Sequence, residues 1–351
     1  MWVRKMSSVL PSSAAQLGVE RLQLSQKNLA LALLIFAIPI VGFCLNFVAL
    51  LAIGWPFALP LVIAGGWFTG MAFIVGHDAS HQSFTASHRL NAILGRISFL
   101  PSLTSFSLWD LVHNRVHHRY NNVRAFDYVW EPMSPEDYAA ATPRQRLRNR
   151  IFRSGLGIPL YYMFDIWLPR IFLVRRVACG TYRRDYLLDG FLVWGFLVFE
   201  IVAAVFIGDI FGRSAAEALL LAVVAPFLVW NALMSLVIYV HHTHPEVAWY
   251  ASVEEWRSRN GRLTGTVHVR FPWVVRKLML NIMDHNAHHY APGIPLYNLT
   301  HMQQQLDTEQ VVEWDWSMRG YFDVVRQCKL FDYASGQWIP YPESALGHPT
   351  E

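Results

Sequence analysis

Histidines at the spacing of metal ligands are the residues of this sequence best suited to chemistry. In a helix, residues three or four positions apart share one face, so a short cluster can aim two or more imidazoles at one point. Neutral imidazole binds Fe, Zn, Cu and Ni. Three clusters have this form: His77 and His81; His113, His117 and His118; and His285, His288 and His289.

The number of clustered histidines indicates two metal ions. A zinc site takes four ligands, three or four of them from the protein, and the clusters supply more than that. Two irons with open coordination positions can bind and activate O₂. The Glu and Glu-x-x-His pairs of soluble di-iron bundles are not found in the sequence. A histidine-rich site for two metal ions is therefore predicted.

A further group of histidines follows an apolar run between the second and third clusters. His241, His242 and His244 are all candidates for a ninth ligand. Strand-like spacing would place His242 and His244 on one face, and we favour His242 as the ligand. The alternative is a cation at a helix end that complements the helix dipole.

The elements that must position these histidines are predicted to be membrane helices. The 351-residue chain is 54% hydrophobic and only 15% charged, whereas soluble proteins are about 25% charged. Four apolar runs are long enough to span roughly 30 Å of hydrocarbon. They cover residues 29–53, 57–75, 187–207 and 215–240. We expect an all-α polytopic membrane protein with two helical hairpins and a cytosolic helical cap that holds the histidines.

The distribution of basic residues predicts the orientation of these spans. Four spans return both termini to the same side, and all but one of the 29 Lys and Arg residues then lie on that side. Arg213 is the exception. The positive-inside rule assigns this side, with all three histidine clusters, to the cytoplasm. The expected organisation is a cytosolic leader over residues 1–28, a membrane domain over 29–300 and a cytosolic segment over 301–351.

Two segments outside the spans are apolar but interrupted by proline. Residues 91–109 and 155–174 are expected to lie at the membrane interface or to re-enter the membrane, since the prolines argue against a clean span. Residues 91–109 and the membrane hairpins are candidate walls of a substrate tunnel.

Other polar residues are weaker candidates for the site. Asp78, beside His77, is predicted either to orient a ligand imidazole or to be a simple surface carboxylate. Glu200 and Asn231 lie inside predicted spans and are left out of the site, since they can pair with neighbouring helices. The remaining candidates for orienting ligands are Asn114, Asn122, Asp284 and Asn286. The isolated histidines, expected to be ordinary surface or satisfied residues, are His88, His268, His301 and His348.

The histidine clusters resemble the three histidine boxes of the membrane fatty acid desaturase family. The boxes are His77-Asp-Ala-Ser-His81, His113-Asn-Arg-Val-His-His118 and His285-Asn-Ala-His-His289. Two further segments resemble the acyl-lipid branch that acts at the Δ12 (omega-6) position: His242-Thr-His-Pro-Glu246 and Asp127-Tyr-Val-Trp-Glu-Pro132. One departure is the second box, in which three residues precede the His pair where two are common.

This resemblance implies a centre of two iron ions held by the boxes. With O₂ and two electrons, such an enzyme removes two hydrogens from neighbouring methylenes of an acyl chain and leaves a cis double bond. An unactivated C–H bond has no useful acidity, so a metal oxidant is required in place of a side-chain base. The implied substrate is an acyl lipid, and the implied surroundings are membrane lipids, with no nucleic acid.

The electrons must come from another protein. The sequence has no GxGxxG after a strand, no haem motif and no cysteine cluster, since Cys44, Cys179 and Cys328 are far apart. An external donor of the ferredoxin or cytochrome b5 type is therefore predicted. Its candidate docking site is the basic stretch with Arg144, Arg146, Arg148, Arg150 and Arg153. A helix that faces solvent or lipid headgroups is the favoured interpretation of this stretch.

Two other functions are compatible with the histidine pattern. The first is a hydroxylase or oxygenase of the same fold that acts on a lipid or a carotenoid. The second is a membrane metal transporter without enzymatic activity. Transporters place their ligands near the middle of the membrane, whereas these clusters lie at or beyond the ends of the spans. The sequence therefore favours an enzyme.

Overall fold

The computed structural model describes residues 21–173, 183–306 and 311–342. Most of the predicted leader, residues 1–20, lies outside the described residues, as do Val174, Cys179, His348 and the last residues of the C-terminal segment. The described chain is mostly helical with two small two-stranded sheets. The predicted all-α class is therefore correct in its main feature, and the strands are a minor addition to it.

Four helices are long and apolar enough to cross a membrane. We call them membrane helices 1 to 4, and they cover Leu29–Ile53, Leu59–Ser80, Arg184–Ile210 and Ala215–His242. Each of the four predicted apolar runs falls in one of these helices. Helix 1 begins at a capped end, where the Asn28 side chain accepts a hydrogen bond of 3.0 Å from the backbone N–H of Leu31.

Membrane helices 2 and 4 extend past the apolar runs that predicted them. Helix 2 continues from Val75 to Ser80 and so carries His77 inside the helix, while helix 4 continues to His242. No proline separates Val75 from Ser80, and the polar side chains of this last turn are buried. The expected strand-like spacing of His242 and His244 is wrong, because the helix ends between them.

Membrane helices 2 and 4 pack closely through small residues. A Cβ atom added at Gly66 would lie 2.4 Å from Cγ1 of Val229 and 2.9 Å from the backbone nitrogen of Trp230. Only a glycine permits this approach. The close contact fixes helix 2 against helix 4, and the last turns of these helices carry His77 and His242.

Shorter elements build the layer that covers the histidines. The α-helices are His88–Phe99, Phe106–Trp109, Pro135–Ala140, Pro143–Phe152, Ile158–Tyr161, Val253–Ser258, Gly261–Thr264, Trp273–Leu278, His285–Tyr290, Leu299–Leu306 and Met318–Gln327, with one 3₁₀ turn, Leu100–Ser102. Stretches of π-helix cover Asp110–His117, Tyr162–Phe172 and, inside membrane helix 4, Leu220–Val224. Strands Val267–Arg270 and Val312–Asp315 pair in parallel, and Leu330–Asp332 pairs antiparallel with Gln337–Ile339.

Both proline-interrupted segments are helical over most of their described length; residues 91–109 are mostly buried, and residues 155–173 are partly buried. In the first, Phe99, Phe106 and Trp109 pack with residues of membrane helices 2 and 4 in one aromatic cluster. The second contributes Tyr162 and Trp167 to the same cluster. This apolar cluster supports the second histidine box from the membrane side, because Trp109 directly precedes the π-helix that carries it.

Candidate metal centre

All nine predicted ligand histidines converge in the structure. They come from the ends of membrane helices 2 and 4, from the π-helix Asp110–His117 with the residue after it, and from the helix His285–Tyr290. The ligand nitrogens of eight of them form two groups, within each of which the atoms lie at most 4.8 Å apart. The first group is His77, His81, His113, His118 and His288, and the second is His117, His242 and His289.

His285 adjoins the second group. Its Nε2 atom lies 3.1 Å from Nε2 of His242 and 3.1 Å from Nε2 of His289. The two groups also touch each other, since the rings of His118 and His289 stack with centroids 4.1 Å apart. The site therefore has two adjacent centres, with five histidines around one and four around the other.

The two His-His pairs of the second and third boxes divide between the groups. Neighbouring residues of a helix point about 100° apart, so one histidine of each pair faces each group. Thus His117 and His118 separate, as do His288 and His289. Sequence spacing predicts a shared face for His113 and His117, and this is wrong for the ligand nitrogens.

The cause of this difference is the π-helical turn. The backbone N–H of His118 donates to the carbonyl of His113, five residues earlier, at 2.8 Å. One additional residue per turn brings His118, rather than His117, above His113. The Nε2 atoms of His113 and His118 are consequently 3.0 Å apart.

The nitrogen arrangement fits cations. Nε2 of His113 lies 2.8 Å from Nε2 of His77 and 3.0 Å from that of His118, which in turn lies 2.9 Å from Nε2 of His288. One ring nitrogen carries at most one proton, so a chain of such contacts leaves lone pairs facing each other. Nε2 of His81 is also buried without a hydrogen-bond partner. A divalent cation in each group would satisfy these lone pairs.

Three histidines outside the membrane helices are held in the form that binds metal. Burial lowers the pKa of His118, His288 and His289 well below the ordinary value, and neighbouring histidines lower it further. Desolvation disfavours the charged imidazolium. These rings are therefore neutral at pH 7, as metal coordination requires.

An apolar pocket reaches the histidines between membrane helices 2 and 4. Its walls include Trp67, Gly70, Phe73, Trp109, Trp230 and Met234, and six histidine rings close its inner end. The predicted tunnel walls are present in part: membrane helix 2 lines this pocket, whereas from residues 91–109 only Trp109 does. The pocket can hold an apolar chain against the histidines.

The sequence matches the family model for fatty acid desaturase over residues 53–319. The chain belongs to the fatty acid desaturase family. The predicted family and the predicted class of oxidoreductase are thus confirmed. Family membership supports desaturation and supports neither the hydroxylase nor the metal transporter considered above.

Individual relatives of this desaturase carry related names. It is 29% identical to the sn-1 oleoyl-lipid 12-desaturase of Picosynechococcus sp., over 81% of this chain and 80% of that protein. It is 30% identical to the protein of the same name from Anabaena variabilis, over 71% and 69% of the two chains. The chloroplastic omega-6 fatty acid desaturase of Brassica napus is 26% identical over 82% of this chain and 63% of that protein.

A carboxylate that was not among the predicted site residues lies beside a candidate ligand of the desaturase. Both oxygens of Asp127 lie 3.0 Å from Nδ1 of His117. Asp127 is fully buried and also accepts from the backbone N–H groups of Asn122, at 2.8 Å, and Val129, at 3.0 Å. A carboxylate in this position keeps the proton on Nδ1 and turns the Nε2 lone pair of His117 to the centre. The only signal was its place in the segment after the second box.

Of the predicted orienting residues, one contacts a ligand and the others hold the scaffold. The Oδ1 atom of Asn122 lies 3.3 Å from Nδ1 of His242. The carboxylate of Asp78 instead accepts from Ser83 Oγ at 2.6 Å and from the backbone N–H of Leu296 at 3.2 Å. The hypothesis that Asp78 orients an imidazole is therefore wrong. The other three bond elsewhere: Asn114 to Ser80 and Asp110, Asp284 to Thr300 and His268, and Asn286 to the carbonyls of Leu263 and Thr266.

Among the three candidates for a ninth ligand, the structure places only His242 in a nitrogen group. The His241 ring stacks on His285, with centroids 3.8 Å apart and planes 12° apart. His244 accepts from the backbone N–H of Glu246 at 3.2 Å. The isolated His88 and His301 are exposed, and His268 is buried beside Asp284.

Proposed function

We propose that this desaturase uses O₂ and a di-iron centre to introduce a cis double bond at the Δ12 (omega-6) position of an acyl chain carried by a membrane lipid. The observation that carries the proposal is the pair of adjacent histidine groups at the inner end of an apolar pocket. The position of the bond comes from the names of the relatives, two of which are oleoyl-lipid 12-desaturases.

Nine histidines would hold the two irons. The first iron is assigned to His77, His81, His113, His118 and His288, and the second to His117, His242, His285 and His289. When bound, the irons supply with O₂ the oxidising power needed to remove hydrogen from an unactivated methylene. The protein contributes neutral imidazoles, fixed ring orientations and a water-poor cavity.

The apolar pocket positions the chain. Aromatic and aliphatic side chains exclude water from the reacting methylenes and hold them beside the rings of His77 and His113. The indole of Trp109 stacks on the His113 ring, with centroids 4.3 Å apart, and fixes the wall next to the centre. The depth to which the chain enters sets the bond that reacts.

The four membrane helices are proposed to form two hairpins, with both termini and the histidines on the cytoplasmic side. The same assignment makes residues 1–28 a cytosolic leader, 29–300 the membrane domain and 301–351 a cytosolic segment. The support is that Arg213 alone, of the 29 basic residues, lies on the opposite side. Cysteine-accessibility labelling at the loop that holds Arg213 should give the opposite sidedness to labelling near Arg119.

Expression in a host that makes oleoyl lipids but no dienoic acids tests the activity. Mass spectrometry of the fatty acid methyl esters should find an 18-carbon product that has lost two hydrogens, with the new double bond at position 12. A product that has gained oxygen would contradict desaturation and support a hydroxylase. A double bond at another carbon would contradict only the proposed position.

Filling the pocket should stop long chains from entering. Gly70 lines the pocket, and a Cβ atom there would have only Trp230 Cδ1, at 3.9 Å, as a neighbour. A Gly70→Phe substitution therefore directs a ring into open space and should lower turnover of 18-carbon acyl chains about tenfold or more, since one blocked methylene contact alone is worth about 1–3 kcal/mol. Product analysis with 14- to 18-carbon acyl lipids should show the loss falling on the longest chains.

The matched control is Gly195→Phe. Gly195 lies in membrane helix 3, has no atom within 4 Å of an added Cβ and does not line the pocket. Its substitution should leave turnover unchanged for every chain length. Equal losses in the two variants would indicate a general defect and remove Gly70 from the substrate path.

A further inference from the structure

The two histidine groups can be reached through a second opening, which is separate from the apolar pocket. This opening reaches His81, His118 and His289, none of which lines the apolar pocket. The two openings share no lining residue. The histidine groups are therefore reached from two sides, through an apolar pocket and through a polar opening, and different histidines line each of them.

The rim of the second opening is positively charged. Arg115, Arg119 and Arg262 line it and are exposed, and its lining contains no carboxylate. Asp110 lies 3.1 Å from Arg115 and offsets part of that charge. In the described chain, Arg119 and Arg262 have no carboxylate partner. At least two positive charges without a carboxylate partner thus line the same opening as His81, His118 and His289.

The basic stretch that the sequence suggested for docking is different. Arg148 is paired with Asp165, and Arg150 donates to the hydroxyl of Tyr138 at 2.6 Å. Arg153 is buried and donates to the carbonyl of Trp130 at 2.6 Å. These arginines hold the fold, and none of them lines either opening to the histidines. Of these three arginines, Arg148 is paired with a carboxylate, and Arg150 and Arg153 are held by neutral acceptors within the fold.

We propose that the opening rimmed by Arg115, Arg119 and Arg262 is the docking surface for the electron donor, a small one-electron carrier protein with an acidic face. This inference rests on the proposed function. Opposite charges steer association and orient the partner. Electron transfer weakens steeply with distance through protein, and this opening connects the surface with His81, His118 and His289, which line it.

The stoichiometry requires the carrier to dock twice in each cycle. Forming one double bond removes two hydrogens from the acyl chain and reduces one O₂ to two waters. The balance is completed by two further electrons and two protons. A one-electron carrier supplies the two electrons in successive encounters, so the surface must also release the oxidised carrier. An electrostatic, salt-sensitive contact is suited to rapid exchange.

Binding and turnover should be measured with iron-loaded enzyme in nanodiscs of zwitterionic lipid. The carriers are an acidic [2Fe–2S] ferredoxin and the soluble domain of cytochrome b5. Arg119→Glu and Arg262→Glu should each raise the Kd and KM of the functional carrier about tenfold at low ionic strength, with the effect largely lost at about 0.5 M salt. The matched control is Arg144→Glu, an exposed arginine of the other basic stretch, which should change neither value.

A single-turnover measurement on chemically reduced enzyme distinguishes failure of the docking proposal from failure of the proposed function. After reduction with dithionite and exposure to O₂, wild type and both arginine variants should form the same amount of product in one turnover. No product from the wild type would contradict the proposed function itself. Suppose that the wild type forms product in this measurement. The docking surface alone would then be overturned if the Kd of the carrier were unchanged in both variants, or if neither carrier could reduce the enzyme.

A lipid-binding role for the same arginines is also distinguished. Short-chain phosphatidylglycerol that binds the wild type but not Arg119→Glu or Arg262→Glu, with the Kd of the carrier unchanged, would assign the arginines to headgroup binding and overturn the proposal. If Arg144→Glu raised the Kd of the carrier more than Arg119→Glu and Arg262→Glu do, the proposal would also be overturned, and the docking surface would be assigned to the other basic stretch.

Discussion

A His289→Ala substitution is expected to abolish desaturation and to remove iron from the second histidine group, while the protein still inserts in the membrane. The His289 ring is buried, its Nε2 atom lies 3.1 Å from Nε2 of His285, and it belongs to the group with His117 and His242. Alanine removes one of four ligands and leaves a cavity beside the rest. Product formation should fall below detection, and the iron content should fall from about two per chain to about one or less.

His244→Ala is the matched control for this prediction. His244 lies next to the second group in sequence but supplies no nitrogen to it. Its variant should keep both irons and most of the activity. Retention of activity and iron by His289→Ala would exclude His289 as a ligand. An equal loss in His244→Ala would show that the effect comes from the fold of the region.

The parts of this structure that were predictable from the sequence depend on local patterns. The membrane helices follow from long apolar runs, and the candidate ligands follow from histidines at helical spacing. His77 and His81, four residues apart on a regular helix, do fall in one group as that spacing requires. The spacing of histidines within one box does not predict the distance between boxes. That the three boxes come together was inferred from the number of metal-binding histidines.

The division of ligands between the two centres was not predictable in the same way. It depends on a π-helical turn that places His118 above His113, and no residue between them predicts this turn. The structure also brings Asp127 back to His117 through an irregular loop, in which Asn122 and Ala125 have positive φ values of 59° and 64°. Such a path has no periodicity, so only the folded chain shows the pair.

Replacing Asp127 should therefore weaken iron binding without removing any ligand. An asparagine side chain at this position would keep the shape and one acceptor oxygen but would lose the negative charge that holds the proton on Nδ1 of His117. Loss of such a partner typically costs about 10–100-fold in metal affinity or activity. We expect Asp127→Asn to lose iron to a chelator at a correspondingly lower concentration, with the change confined to one iron in the Mössbauer spectrum.

Two further variants separate this positioning role from simple stability. Asp189 is an equally buried carboxylate that pairs with Arg96 at 2.6 Å and accepts from the backbone N–H of Ser107 at 2.7 Å, away from the histidines. Asp189→Asn should lower thermal stability but leave iron affinity unchanged. Asp127→Ala should be worse than Asp127→Asn, because it also leaves two buried N–H groups without an acceptor, at about 1–3 kcal/mol each. If Asp127→Asn and Asp189→Asn lose iron alike, then Asp127 acts through the fold and not through the His117 ring.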